Sequence, residues 1–226
     1  MTRFSGKELS QTEVSTSKLN QVINSVKFYY KTVLQMPNRF YSINPPFKED
    51  RIPKVISKAG VFKIIEATNN IKHRCILSLL YSAGLPRQEL LDLKITDVDS
   101  ERMIVSFNQG KGRKYRVTIL SEKALVDLQK YFKEWRPKTY LFEGKIGEKY
   151  GRSSVGKILD RAACKAQINK RITPHMIRHS FAMHLLEAGT NLRHIQTLLG
   201  HSSSKATEIN TRVSLQHIQN LKSPLD

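Results

Sequence analysis

Three basic side chains, His175, Arg178 and His179, fall at i, i+3 and i+4 within TPHMIRHSFAMHLLEAGTNLRHIQTLLGHSSSKATEIN, residues 173–210. On a helix that spacing projects all three from one face. Arg178 offers a forked guanidinium suited to two oxygens of a phosphodiester, and a histidine can donate to a non-bridging oxygen or move a proton. His201 follows Gly200, which reads as a helix stop, so a further proton donor sits at a helix end. His175 and His179 are also spaced as H-x3-H, which suits zinc, but no Asp, Glu or Cys lies close enough in sequence to complete such a site. His179 is equally well read as a half-buried brace for its neighbours. His184 and His194 read as surface histidines.

A second cluster puts Lys111, Arg113, Lys114 and Arg116 within six residues around Gly110 and Gly112. Two readings fit it. One is a solvated turn; the other is a two-stranded ribbon that enters a DNA groove with its tip lysine near a scissile phosphate, where the lysine can protonate a leaving 5′ oxygen.

These groups need elements to hold them. Leu19, Val22, Ile23, Val26, Tyr29, Tyr30, Val33 and Leu34 recur at helical spacing and predict a helix over 16–35, ended by Pro37. Residues 42–53 carry three prolines among charges and read as a linker. Beyond them, Ser57 is a candidate N-cap, a helix over 71–82 is apolar nearly all round and hence buried, and Pro86 suits the first position of a helix over 86–93. A short strand near 95–98 precedes a hairpin in which Met103, Val105 and Phe107 alternate with their neighbours, as do Tyr115, Val117 and Ile119. Helices are expected at 121–135, 152–167, 174–188, 191–199 and 203–210, with a last amphipathic piece at 215–222. The fold class is mainly α with a small three-stranded antiparallel β-sheet.

Lys and Arg outnumber Asp and Glu by 38 to 19, a net charge of +19. So large an excess points to a polyanionic partner, and to nucleic acid rather than a membrane surface because no strongly apolar amphipathic segment accompanies it. Cys75 and Cys164 sit in apolar helical patterns and read as buried free thiols, not as a disulfide or metal site. No apolar run approaches the roughly 18 residues of a membrane span, and MTRFSGKELSQ lacks the apolar core of a signal peptide, so a cytoplasmic, nucleoid-associated protein with no cofactor is expected.

The combination of a G-K-G hairpin, then H-x-x-R-H, then L-L-G-H resembles the catalytic domain of the tyrosine recombinases, the phage integrase family, and especially its compact Xer-like members. LRHIQTLLGHSSSKATEI is the most specific stretch, and the resemblance runs from about residue 15 to 226. It implies the recombinase catalytic-domain fold over 54–226, a linker at 42–53, and a remnant of the helical core-binding (SAM-like) domain over 1–41. It also implies a strand transferase acting on double-stranded DNA without a metal. A tyrosine attacks the phosphate, two arginines and a histidine stabilise the pentacoordinate state, a hairpin lysine acts as acid and a second histidine assists. By position the lysine is Lys111, the histidine and second arginine are His175 and Arg178, and the further histidine is His201.

Two positions depart from the pattern. In the family the first arginine follows the Gly-Leu of G-L-R-x-x-E-L; here the segment is Gly84-Leu85-Pro86-Arg87-Gln88-Glu89-Leu90, so Pro86 stands in the arginine's place and Arg87 is one residue late, turned by about 100° on a helix. The nucleophile belongs nine residues after His201, and that residue is Asn210. No tyrosine occurs after Tyr150. Thr211 and Ser214 carry only alkyl hydroxyls, poorer leaving groups on resealing than a phenol of pKa about 10. The expectation is a DNA-binding relative that cannot form the covalent intermediate. The alternatives are an active recombinase with a non-standard or partner-supplied nucleophile, and an interaction subunit that joins homo- or hetero-oligomers of recombinase through its C-terminal helix.

Overall fold

The computed structural model describes residues 16–36, 54–107, 116–200 and 223–226. The expected linker at 42–53, the hairpin tip with Lys111, Arg113 and Lys114, the helices at 203–210 and 215–222, and the positions His201 and Asn210 lie outside the described residues. The chain divides into two units at Ile52/Pro53.

In the first unit α1 spans Thr16–Phe28 and widens into a π-helical turn, Tyr29–Val33, where the Leu34 amide donates to the Tyr29 carbonyl at 3.1 Å. The expected helix over 16–35 is therefore two conformations in series, ended by Gln35 in the left-handed region at φ 50°. Ile23 is buried, while Phe28 and Val33 stay more than half exposed.

The second unit holds α2 (Lys58–Glu66), α3 (Ile71–Ser82), α4 (Arg87–Asp92), α5 (Glu122–Trp135), α6 (Arg152–Lys165), α7 (Pro174–Glu187) and α8 (Leu192–Leu199). Polar side chains satisfy the first free amides of five of these helices: Ser57, Asn70, Ser121, Thr173 and Asn191 each accept a backbone N–H within the opening turn. Helix α3 is the axis of the core. Its residues from Cys75 to Ser82 are all buried, with α2, α4, α5, α6 and α7 packed around it. Asp226 adds a second cap to α5: its carboxylate accepts the Ser121 hydroxyl at 2.7 Å, and the neighbouring Leu225 is buried.

The sheet has the expected three antiparallel strands in the order β1 (Val98–Asp99), β2 (Ile104–Phe107), β3 (Arg116–Ile119), with Val105 opposite Thr118 and Phe107 opposite Arg116. The strand expected near 95–98 is mostly a 3-10 turn, Ile95–Asp97, because the Asp97 carboxylate bends back to accept the Lys94 amide at 2.8 Å. Only its last residue, Val98, joins the sheet. All of β3 is buried, so the strand is covered on both faces.

Two further expectations are corrected. Cys164 is exposed, because it lies one residue past Ala162 and Ala163 and so turns away from the core-facing side of α6. His184 is buried, not on the surface: it shares the α7 face of Ile177, Ser180 and Phe181. Its Nδ1 is 2.8 Å from the Tyr81 hydroxyl, and the ring lies near the Ile56 backbone. That ring joins α3, α7 and the segment entering α2.

Burial lowers the His184 pKa, with Lys58 adding to it and Glu187 and the Ile56 carbonyl opposing. The unfolded chain therefore binds this proton more readily than the folded one, and stability falls as pH drops below the ordinary imidazole value of about 6.5. His184→Asn is expected to flatten the melting temperature against pH between about 7 and 5. An unchanged slope would assign the acid sensitivity elsewhere. His184→Ala, which strands the Tyr81 hydroxyl, is expected to cost about 1–3 kcal/mol in urea denaturation.

Candidate functional site

Helix α7 opens on Thr173, whose hydroxyl accepts the Met176 amide at 3.2 Å, and Pro174 begins its first turn. From that start His175, Arg178 and His179 project as their spacing predicts. The two imidazoles are exposed and stacked, 6.4 Å apart between ring centres. Arg178 is half-buried and donates from Nη1 to the Gly84 carbonyl at 2.7 Å and from Nη2 to the Leu199 carbonyl at 2.5 Å. Its guanidinium thus spans the turn between α3 and α4 on one side and the end of α8 on the other. A guanidinium has five N–H donors, so donors remain for a ligand.

Gly84 is required where it stands. It has a positive φ of 58°, and a Cβ there would lie 2.4 Å from the Phe181 ring, one turn beyond Arg178 on α7. After it Leu85 is buried and Pro86 occupies the cap of α4, one position earlier than expected. Arg87 is consequently the first residue of the helix, and it is exposed.

Arg116 departs from its expected place among the tip cations. Its side chain is buried: Nη2 meets the Glu89 carboxylate at 2.5 Å, Nη1 donates to the Leu198 carbonyl at 2.8 Å, and the guanidinium lies over the Phe107 ring. The physical reason is the burial of β3, which gives a side chain at its first residue no route to solvent. Burial pushes Arg116 down to about 10, Glu89 holds it up and Arg178 pushes it down further. Arg178 is also lowered by burial and held up by Glu89. Both guanidiniums stay charged at neutral pH.

Among the described residues the resulting layer contains two guanidiniums and the carboxylate of Glu89, a net positive charge half withdrawn from water. Such a layer favours an anion able to accept from a planar donor. Composition counted Arg116 as one more surface cation. Glu89, three residues beyond Pro86 on α4, was the available sign that a buried partner was needed.

Among the described residues no group of three or more His, Cys, Asp or Glu side chains could hold a metal ion. Nor is any described helix long and apolar enough to cross a membrane.

Comparison with known proteins gives a consistent picture. The phage integrase family matches residues 54–217. A putative integrase/recombinase, y4eF, of Sinorhizobium fredii is 33% identical over 96% of this chain and 87% of its own length. The tyrosine recombinase XerA of Pyrococcus horikoshii is 34% identical over 94% of this chain and 75% of its own. Among solved structures, a XerA recombinase crystal structure superposes with a TM-score of 0.64 at 29% identity, covering 92% of this chain and 73% of that one. The XerH recombinase bound to its difH substrate gives 0.67 at 20% identity, a likeness of fold, over 92% of this chain and 68% of that one.

Removing the shared carboxylate is expected to be costly, because it leaves Arg116 buried and uncompensated. Glu89→Gln is predicted to lose about 3–5 kcal/mol by urea denaturation. Asp92→Asn, on the same helix as Glu89, breaks the exposed pair with Lys149 of the loop before α6 and is predicted to lose no more than about 1 kcal/mol.

Proposed function

The chain belongs to the phage integrase family, and from that premise we propose that it binds duplex DNA at recombination sites and grips a backbone phosphate without forming a phosphotyrosyl bond. The observation that carries this reading is the absence of any tyrosine after Tyr150, with Asn210 nine residues past His201. An asparagine amide has no hydroxyl oxygen with which to displace a 5′ oxygen from phosphorus. The family supports a role in site-specific recombination.

In this reading Arg178 holds two phosphate oxygens, His175 and His201 donate to the same group, and Lys111 stands near the leaving oxygen. Lys111, Arg113 and Lys114 add the contacts of the hairpin tip. Residues 54–226 form the catalytic domain, joined by 42–53 to the helical segment that begins the chain. Support comes from the net charge of +19, from the positive layer around Arg178 and Glu89, and from the difH-bound state of the XerH neighbour. A second reading rests on the exposed Arg87 at the start of α4. There it supplies the charge that Pro86 lacks, and only the nucleophile is missing.

Two measurements test these readings. Binding to a labelled duplex is expected to weaken steeply with salt, because each neutralised phosphate releases counterion and contributes about 0.9 to the slope of log K against log salt; a flat response removes the reading. On a nicked suicide substrate the unaltered chain is expected to give no covalent adduct. Asn210→Tyr alone is expected to give little, and Asn210→Tyr with Pro86→Arg substantially more, since a missing transition-state cation costs about 3–4 kcal/mol. Full yield from the single change would establish Arg87 as the substitute.

A further inference from the structure

Arg116 has a role that its burial does not by itself explain. Leu198 and Leu199 are consecutive residues at the end of α8, and their carbonyls are taken by two different guanidiniums, Arg116 and Arg178 respectively. The ends of helices carry unpaired carbonyls and a partial negative charge, so a cation there is stabilising. Two cations on adjacent carbonyls do more, because each fixes the direction in which the other's acceptor points. Gly200, the next residue, is left-handed at φ 68°, and a Cβ on it would lie 2.6 Å from Arg116 Cδ. The helix end is thus pressed against the arginine stem.

Arg116 also gives up a bond to keep this arrangement. Its Nε is buried with no acceptor among the described residues, a cost of about 1–3 kcal/mol by ordinary measures. The guanidinium is therefore oriented by what Nη1 and Nη2 must hold. They hold the α8 end and Glu89 on α4, while Arg178 holds the α8 end and the turn before α4. In sequence, Arg116 opens β3 five residues after Lys111, and Leu198 lies three residues before His201.

We infer that Arg116 is a positioning residue of the phosphate site, clamping the end of α8 to the root of the hairpin so that Arg178 faces the phosphate in one orientation. This rests on the reading that Arg178 binds a DNA phosphate. Arg116 itself touches no DNA.

The test is a double-mutant cycle on the full chain, using fluorescence anisotropy with a labelled random-sequence duplex at a temperature where circular dichroism shows each variant folded. Arg178→Met is expected to weaken binding about tenfold or more and to lower the salt slope by about 0.9. Arg116→Met is expected to weaken binding to a similar degree, and the double variant to bind within about twofold of Arg178→Met alone, because Arg116 acts through Arg178. Gly200→Ala, which drives the Arg116 stem from its seat, is expected to repeat that pattern and serves where Arg116→Met does not fold. Losses that multiply in the double variant would make Arg116 a direct or independent contributor, and unchanged binding in folded Arg116→Met or Gly200→Ala would make it a structural ion pair. Either result overturns the proposal. Unchanged binding in Arg178→Met would instead overturn the phosphate reading, and the proposal with it.

Discussion

The carboxylate of Glu89, paired with Arg116 and near enough to Arg178 to favour its charge, is the constraint on which this site depends. Glu89 lies against Arg116 and also holds up the charge of Arg178. Without it two positive groups would stand close together in a partly dry layer, and their repulsion would drive one of them out toward water. With it, both remain where backbone carbonyls can orient them. Among the described residues the layer holds two cations against the carboxylate of Glu89, and Arg178 is only half-buried, so its charge keeps contact with water.

The rest of the unit supplies rigidity to that layer. Helix α3 is enclosed on all sides, and the turn that leaves it presents the Gly84 carbonyl to Arg178 while packing its Cα against Phe181 of the same helix that bears Arg178. The Thr118 hydroxyl donates to the Ala83 carbonyl at 2.9 Å, which ties β3 to the same turn. Strand and turn are thus tied to each other beside the site. A displacement of either would be felt at the guanidiniums, since close-packed interiors transmit small shifts instead of absorbing them.

Much of the frame was legible before any coordinates, and the reasons are physical. Caps such as Ser57 and Thr173 announce helix starts because their side chains solve a local hydrogen-bonding problem. The i, i+3, i+4 spacing of His175, Arg178 and His179 is a statement about one helix turn, and it held. Arg116 was misplaced because charge counting is blind to tertiary partners: nothing within five residues of it is acidic, and Glu89 reaches it only through the fold. His184 was misplaced although its spacing from Ile177 and Phe181 marks a buried face; residue type outweighed periodicity in that reading. The strand near 95–98 was lost to a local competitor, the Asp97 side chain, which offers the backbone a bond that the sheet would otherwise provide.

On the proposed reading, stability and phosphate binding are joined at some positions of this site and separate at others. Arg178, Glu89 and Arg116 each satisfy groups that would otherwise be buried without partners, so replacing any of them is paid in folding as well as in binding. Pro86 makes no side-chain hydrogen bond at the head of α4, and the clamp from Glu89 to Leu198 is intact with it in place. A cation can therefore be absent from that position while the geometry that would have used it persists. The bonds that orient Arg116 and Arg178 are the bonds that fold this region, and they do not depend on whether position 86 carries a charge.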